Sequence, residues 1–130
     1  MNATTPAAVR VTEIAFTGYP VTNMARARVF YENVLGLKPG ATFGEGDKQW
    51  VEYDIGAGTL AITNMAAEWQ PAAQGPSIAL EVEDFDAAIE ALRQAGVTFT
   101  VPPTASPVCR LAVCLDPDGN SLAVHKRNPH

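Results

Sequence analysis

The chain is short of positive charge and has no long apolar run, and both absences exclude classes of function. Its 130 residues hold 9 Lys and Arg against 14 Asp and Glu, a formal net charge of -5. Because no basic cluster interrupts this balance, we expect no nucleic acid as a partner. No apolar run approaches the roughly 20 residues that cross a bilayer, so we expect no membrane contact. Residues 1–6 lack the basic start and apolar core of a signal peptide, and they predict a short flexible lead-in to a cytoplasmic protein.

Cysteine and histidine, which form most metal and redox sites, are scarce as well. The chain has 2 Cys, and only 2 His. Cys109 and Cys114 are five apart in one predicted strand, so they point to opposite faces and predict two free thiols. His125 is the only histidine in a predicted strand, because His130 is the last residue. No phosphate loop, nucleophile elbow, HExxH or Cys-x-x-Cys motif is present, so no cofactor is predicted.

The same short pattern of strand, helix-cap, helix and glycine signals occurs twice, about 61 residues apart. In each copy a strand ends in Val, an Asn or Asp caps a helix with an apolar stripe, and a Gly follows the helix. The caps are Asn23 and Asp84, and the glycines are Gly36 and Gly96. Neither copy is large enough to bury a good core alone. We therefore predict a single domain over residues 1–130, with module one at residues 10–63, a linker at 64–76 and module two at 77–126.

Periodicity and turn residues predict the same order of elements in both modules. The first module has a strand at residues 10–19, a helix at 24–35, and strands at 37–43, 49–54 and 59–63. The second has a strand at 77–82, a helix at 85–95, and strands at 97–101, 109–115 and 121–125. Pro102 and Pro103 are predicted to end the strand at residues 97–101, and residues 116–120 are predicted to form a tight turn. The order β-α-β-β-β, written twice, indicates an α+β protein.

Four segments carry motifs of a known family. They are residues 20–23 (PVTN), 29–37 (VFYENVLGL), 78–84 (IALEVED) and 116–120 (DPDGN). With the doubled element order, they resemble the vicinal-oxygen-chelate superfamily, which includes glyoxalase I, the bleomycin-resistance proteins and extradiol dioxygenases. The resemblance covers about residues 10–126. It implies two βαβββ modules that form a curved mixed β-sheet cup with the helices on the outside. We interpret the motif residues as scaffold, and the fold itself hosts several chemistries.

Enzymes of that superfamily usually hold one divalent metal with His, Gln or Glu side chains inside the cup. The resemblance implies that the corresponding positions here are Phe16, Ala61, Ser77 and Ala123. Phe and Ala do not coordinate cations, and Ser is a poor ligand beside carboxylate and imidazole. We therefore predict that the usual metal site is absent. A displaced metal site formed by His125, Glu52 and Glu81 remains an alternative.

Strand alternation predicts which side chains line the cup instead. Small residues on its floor leave volume for an organic ligand, and Trp50 offers a flat stacking surface. Trp69, in the linker, is predicted to fold over the mouth; core or dimer packing is the alternative for both tryptophans. Arg110 and Glu81 are predicted to pair on the sheet. The predicted ligand-binding residues are Phe16, Trp50, Glu52, Trp69, Ser77, Arg110, Cys114 and His125.

These features favour a binding protein over an enzyme. We predict a metal-free protein, similar to the drug-resistance members of the superfamily, that sequesters an aromatic or amphipathic small molecule as a homodimer. The first alternative is a metal-independent lyase or isomerase that uses His125 and Glu81 as catalytic residues on a carbonyl-containing substrate. The second is a metal-dependent glyoxalase or dioxygenase with the displaced site.

Overall fold

The computed structural model describes Arg10 and residues 12–129. The predicted lead-in at residues 1–6 and the terminal His130 lie outside these residues. The first half contains β1 (Thr17–Pro20), α1 (Met24–Arg28), a π-helical segment (Val29–Val34), β2 (Pro39–Glu45), β3 (Lys48–Ile55) and β4 (Gly58–Thr63). The second half contains β5 (Ile78–Glu81), α2 (Phe85–Gln94), β6 (Phe99–Ala105), β7 (Cys109–Leu115) and β8 (Ser121–Arg127).

Both halves fold into a four-stranded mixed sheet with the same arrangement. The strand orders are β1-β4-β3-β2 and β5-β8-β7-β6. In each sheet the first and last strands of the half pair in parallel, whereas the other neighbours pair antiparallel. The predicted α+β fold class with two βαβββ modules is therefore confirmed.

The predicted caps begin both helices. Asn23 Oδ1 accepts a hydrogen bond from the Arg26 backbone N–H at 3.0 Å, and Asp84 Oδ1 accepts one from Ala87 at 3.0 Å. Each of these bonds satisfies one backbone donor that the first helical turn leaves open. Gly36, at a φ of 74°, follows the first helix in the left-handed conformation that glycine adopts without steric cost.

Three predicted elements differ from the structure. The first helix is α-helical only to Arg28; its continuation is π-helical and ends with the Leu35 N–H bonded to the Phe30 carbonyl at 2.9 Å. β1 starts at Thr17 rather than residue 10, and it pairs with β4 at the four positions from Leu60 to Thr63. β6 continues through the two prolines predicted as a break, because it is an edge strand whose register shifts there.

The core joins the two halves through buried tyrosines. The ring of Tyr31 stacks on that of Tyr53 with centroids 6.0 Å apart, and both residues are fully buried. The Tyr19 hydroxyl donates to the Ser121 carbonyl at 2.6 Å and accepts from the Ile78 N–H at 2.8 Å. Each of these bonds links the first half to the second, so the two halves share one core.

The turn at residues 116–120 also holds the halves together. One oxygen of Asp116 accepts the backbone N–H groups of Asp118 and Asn120, and the other accepts the Tyr31 hydroxyl at 2.8 Å. The Asn120 side chain donates to the Pro20 carbonyl at 2.7 Å. Burial raises the pKa of Tyr31, and the neighbouring Asp116 charge raises it further. This turn therefore connects β7 to β8 and also holds the two halves together through its hydrogen bonds to Tyr31 and Pro20.

Candidate functional site

The open face of the first sheet, opposite the core, carries the predicted stacking surface. In the strand register Trp50 faces Thr63 and Glu52 faces Ala61, whereas the intervening Val51 is buried in the core. Side chains alternate between the two faces of a strand. Trp50, Glu52, Ala61 and Thr63 therefore share the face that the sequence predicts as the inside of the cup.

An aromatic cluster of Phe16, Trp50 and Trp69 lies on this open face. The ring of Phe16 meets that of Trp50 edge-on, with centroids 5.0 Å apart and an interplanar angle of 85°. The ring of Trp69 lies 6.2 Å from that of Trp50. Both outer rings remain accessible, since Phe16 is 42% exposed and Trp69 40% exposed. Three residues from β3, the linker and the segment before β1 thus form one partly exposed apolar surface.

Gly18 makes this cluster possible. A Cβ atom at that position would lie 3.0 Å from Cζ3 of Trp69 and 3.4 Å from Cε1 of Phe16. The first distance is shorter than an ordinary van der Waals contact, so the linker tryptophan packs against β1 only because residue 18 has no side chain. The sequence predicts Trp69 near the mouth of the cup, but it does not reveal this glycine.

A shallow hollow of about 500 Å³ opens beside the cluster. Trp50 and Glu52 line it, and the Trp50 indole N–H donates to Glu52 Oε2 at 2.9 Å. Phe43 and Met65, which were not predicted as site residues, also line it and are 58% and 51% exposed. The register pairs Phe43 with Trp50 across the β2–β3 hairpin. Counting cross-strand pairs outward from the predicted turn would have placed Phe43 on this face.

The open face of the second sheet carries a histidine–carboxylate pair. His125 is the register partner of Glu81, and its Nδ1 lies 2.5 Å from Glu81 Oε1. The second oxygen of Glu81 accepts the Arg127 backbone N–H at 2.7 Å. That backbone bond, followed by the bond to His125, lowers the pKa of Glu81. Two donors therefore hold the carboxylate ionised beside the imidazole.

Two further hollows lie between β1 and β5. One, of about 530 Å³, is lined by Gly18 and Tyr19 from β1, by Gln70 from the linker, and by Ser77 and Ala79 from the second half. The Ser121 hydroxyl lies 3.3 Å from that of Ser77. The other, of about 360 Å³, extends along the same boundary past Ala79 to Glu81. Ala79 lines both, so the two hollows are neighbours along β5.

Two predicted ligand-binding residues, Arg110 and Cys114, lie on the opposite face of the second sheet. Arg110 donates to Asp86 at 2.7 Å, and its guanidinium carbon lies 4.4 Å from the ring centroid of Phe85 on α2. Cys114 is fully buried in the core, and burial raises the pKa of its thiol to about 11. Both placements in the cup are therefore wrong, and Arg110 pairs with Asp86 instead of Glu81.

The physical reason is that β7 is apolar on both faces. The predicted placement of Arg110 and Cys114 in the cup puts the larger side chains of Leu111, Val113 and Leu115 on the helix side, since neighbouring residues of a strand alternate between faces. The structure instead places Ala112 and Cys114 there, in the core cluster that includes Phe85. Because Phe85 occupies that space, small residues fit beneath it and the larger ones turn to the open face.

The four positions that correspond to metal ligands do not fit a divalent cation. Phe16 contributes a ring, Ala61 and Ala123 contribute methyl groups, and the Ser77 hydroxyl is engaged with Ser121. Within Arg10 and residues 12–129, no group of three or more His, Cys, Asp or Glu is arranged to hold a metal ion. Glu81 and His125 are therefore brought together, but Glu52 does not complete a displaced site with them.

Comparisons with known proteins identify the family. Residues 13–124 match the family model described as the Glyoxalase/Bleomycin resistance protein/Dioxygenase superfamily. The chain belongs to this family, which confirms the resemblance seen in its motifs. Among curated proteins, none shows a significant sequence match to the chain.

In the described part of the chain, no helix combines the length and the apolar composition that membrane crossing requires.

Solved structures share the fold over most of their length. The antibiotic-binding protein TnmS3 from Streptomyces sp. CB03234 has a TM-score of 0.75 at 21% identity, covering 92% of this chain and 99% of that one. A glyoxalase/bleomycin resistance protein from the same strain has a TM-score of 0.70 at 24% identity, covering 86% and 98%. The genomically encoded fosfomycin resistance protein FosX from Listeria monocytogenes has 0.70 at 13%, covering 90% and 94%. At these identities the likeness shows the fold alone.

Proposed function

We propose that this protein binds an aromatic or amphipathic small molecule on the open face of its sheets and sequesters it without using a metal. The observation that carries the proposal is the partly exposed aromatic cluster of Phe16, Trp50 and Trp69 beside a hollow of about 500 Å³. Hollows of this size, lined by aromatic side chains with a few polar groups, are typical of small-molecule sites. The antibiotic-binding description of TnmS3, a protein of the same fold, supports this function for the present chain.

The cluster is suited to stacking. Because Glu52 accepts the Trp50 indole N–H, the ring is fixed in place and its remaining surface is apolar. Phe16 meets Trp50 edge-on rather than face-to-face. An aromatic ligand that joins the cluster gains offset or edge contacts in addition to burying apolar area, each worth about 0.5–1.5 kcal/mol. Binding of this kind requires shape and area and no activated water.

A homodimer is part of the proposal. On a single chain the apolar side chains of Phe16, Phe43, Met65, Trp69 and Val101 are all at least 39% exposed. β2 is an edge strand whose seven residues are all exposed. Exposed apolar faces and open strand edges are the surfaces that a second copy covers. We therefore propose that a partner chain completes each ligand cleft.

Calorimetric titration with 7-methoxycoumarin, a neutral aromatic probe, tests the proposal. Replacing Trp50 by Ala removes the central ring and should weaken binding by about 1–3 kcal/mol, the usual loss for a buried aromatic anchor. Val29→Ala is the matched control, because Val29 is 55% exposed but lies on the helical segment away from the open face. Equal affinity of wild type and Trp50→Ala would refute the proposed site.

The metal-free part of the proposal has its own test. Because the four family ligand positions carry Phe, Ala, Ser and Ala, dialysis against EDTA should leave 7-methoxycoumarin affinity unchanged. Elemental analysis should find far less than one Zn, Ni, Fe or Mn per chain. A tightly held metal near one per chain, together with loss of binding after EDTA, would contradict this part.

A further inference from the structure

The His125–Glu81 pair has the geometry of a proton acceptor. Glu81 Oε1 lies 2.5 Å from His125 Nδ1, and its Oε2 is held by the Arg127 backbone N–H. Among the described residues, no hydrogen-bond partner faces His125 Nε2. A neutral imidazole that donates Nδ1–H to a carboxylate presents a lone pair at Nε2. This lone pair is therefore available to a bound molecule.

The residues around the His125–Glu81 pair indicate the shape and polarity of the molecule that fits there. Beside Glu81 and His125 on the same face lie Ala79, which is exposed, and Ala123, which is only 6% exposed. Leu111, the register partner of His125 on β7, adds apolar surface. The hollow of about 360 Å³ reaches Ala79 and Glu81. A ring held over Ala79 in this hollow can thus bring a polar substituent toward the imidazole that contacts Glu81.

A carboxylate lies directly beside the imidazole. The Glu81 carboxylate on β5 contacts His125 Nδ1 at 2.5 Å, and opposite charges at this distance attract each other. Arg127, two residues further along β8, contributes positive charge that acts on Glu81. The neighbours on β7 and the facing alanines are uncharged. A proton that arrives at Nε2 is therefore compensated by a single adjacent carboxylate.

We propose that His125 and Glu81 recognise a ligand with a weakly acidic aromatic or enolic hydroxyl, such as a phenol. The ligand hydroxyl donates a hydrogen bond to His125 Nε2. When the O–H bond breaks, its electron pair stays on oxygen and the proton forms an N–H bond at Nε2. The products are a phenolate and an imidazolium. Glu81 is a positioning residue, since it acts on the ligand's proton through the imidazole that it orients and compensates. This inference rests on the proposed aromatic-ligand function and defines the ligand's chemical class.

Two coumarin probes test the inference on the intact protein. 7-Hydroxycoumarin carries a phenol whose absorption moves to longer wavelength when it ionises, and 7-methoxycoumarin has the same ring without the proton. At a pH below the ionisation of free 7-hydroxycoumarin, binding to wild type should produce the phenolate band. Affinity for the hydroxy compound should exceed that for the methoxy compound by at least about tenfold, because a hydrogen bond to a charged group is gained.

Variants assign the effect to the pair. Glu81→Gln keeps the size of the side chain but removes its charge, so the phenolate band should fall by at least about fivefold. In His125→Ala the band should be absent, and the two coumarins should bind with equal affinity. Circular dichroism checks that both variants fold, and the wild-type probe comparison stands without them. Equal binding of the two coumarins with no phenolate band overturns this inference alone, whereas binding of neither overturns the proposed function as well.

Discussion

Replacing Gly18 by Val should detach Trp69 from the aromatic cluster without harming the fold. A Cβ there lies 3.0 Å from Trp69 Cζ3, and the two γ-methyl groups of Val extend further into the ring. The atom that must move is the end of a side chain that is 40% exposed, so the backbone need not shift. The backbone of residue 18 has no positive φ, and valine suits a strand. We expect the free energy of unfolding to change by less than about 1 kcal/mol.

Ligand binding should respond more strongly than stability. Losing the Trp69 ring removes one aromatic contact, worth about 0.5–1.5 kcal/mol beyond its buried area. We therefore expect 7-methoxycoumarin affinity to fall roughly tenfold, which corresponds to about 1.4 kcal/mol. Near-ultraviolet circular dichroism should also change, because the Trp50–Trp69 ring geometry is altered.

A matched substitution separates this effect from a general effect of valine. Gly40 also lies in a strand, but a Cβ there would meet only Asp54 Oδ2 and the Glu52 carbonyl, each at 3.6 Å. Gly40→Val should leave both affinity and the near-ultraviolet spectrum unchanged. If Gly18→Val also leaves both unchanged, the reasoning about the aromatic cluster is refuted.

Three further predictions concern the core, the thiols and assembly. Tyr31→Phe removes the hydroxyl that donates to buried Asp116, and it should lower the free energy of unfolding in urea by about 1.5–3 kcal/mol. An unchanged free energy of unfolding would contradict the claim that this bond holds the two halves together. At pH 8 a thiol reagent should modify the half-buried Cys109 in the folded protein but Cys114 only after unfolding, since burial raises the pKa of Cys114 to about 11; equal rates would argue against its placement in the core. Light scattering should give twice the chain mass of 13.8 kDa at micromolar concentration, and a value near 13.8 kDa would exclude a stable homodimer.

The pH dependence of stability should include a contribution from Glu81. Its carboxyl pKa is lowered in the folded protein, chiefly by the Arg127 backbone N–H and then by His125. A lowered folded pKa means that the contribution is present above the ordinary carboxyl pKa and is lost as pH falls through the folded value. Glu81→Gln should therefore flatten the acid limb of the stability profile, measured by urea unfolding between neutral and acidic pH. An unchanged profile would show that the pair contributes nothing to stability.

Local signals in the sequence predict much of the scaffold. The caps Asn23 and Asp84 and the glycines Gly36 and Gly96 lie where prediction placed them, because capping and left-handed termination depend on a few adjacent residues. The two β-α-β-β-β halves follow from the same signals. The role of the turn at residues 116–120 was only half predicted, since its bond to Tyr31 links positions 85 residues apart.

The face of β7 could not be predicted from the strand itself. Alternation separates two sets of side chains but does not say which set faces the helix when both are apolar. The packing of β7 against α2 decides this, since Arg110 lies over the Phe85 ring and bonds to Asp86, and neither contact is local in sequence. The aromatic cluster could not be predicted from local sequence either. Trp69 packs beside Trp50 only because Gly18 has no side chain to occupy that space.

The most direct test of the central claim is to map a bound aromatic probe by NMR. On titration with 7-methoxycoumarin, the indole N–H signals of Trp50 and Trp69 should shift and saturate together. The amides of Phe85 and Ile89, buried against the other face of the second sheet, should stay in place. Saturable shifts at both indoles would support binding at the aromatic cluster. Shifts confined to α2, or none at either tryptophan, would contradict the claim that the open face is a ligand-binding site.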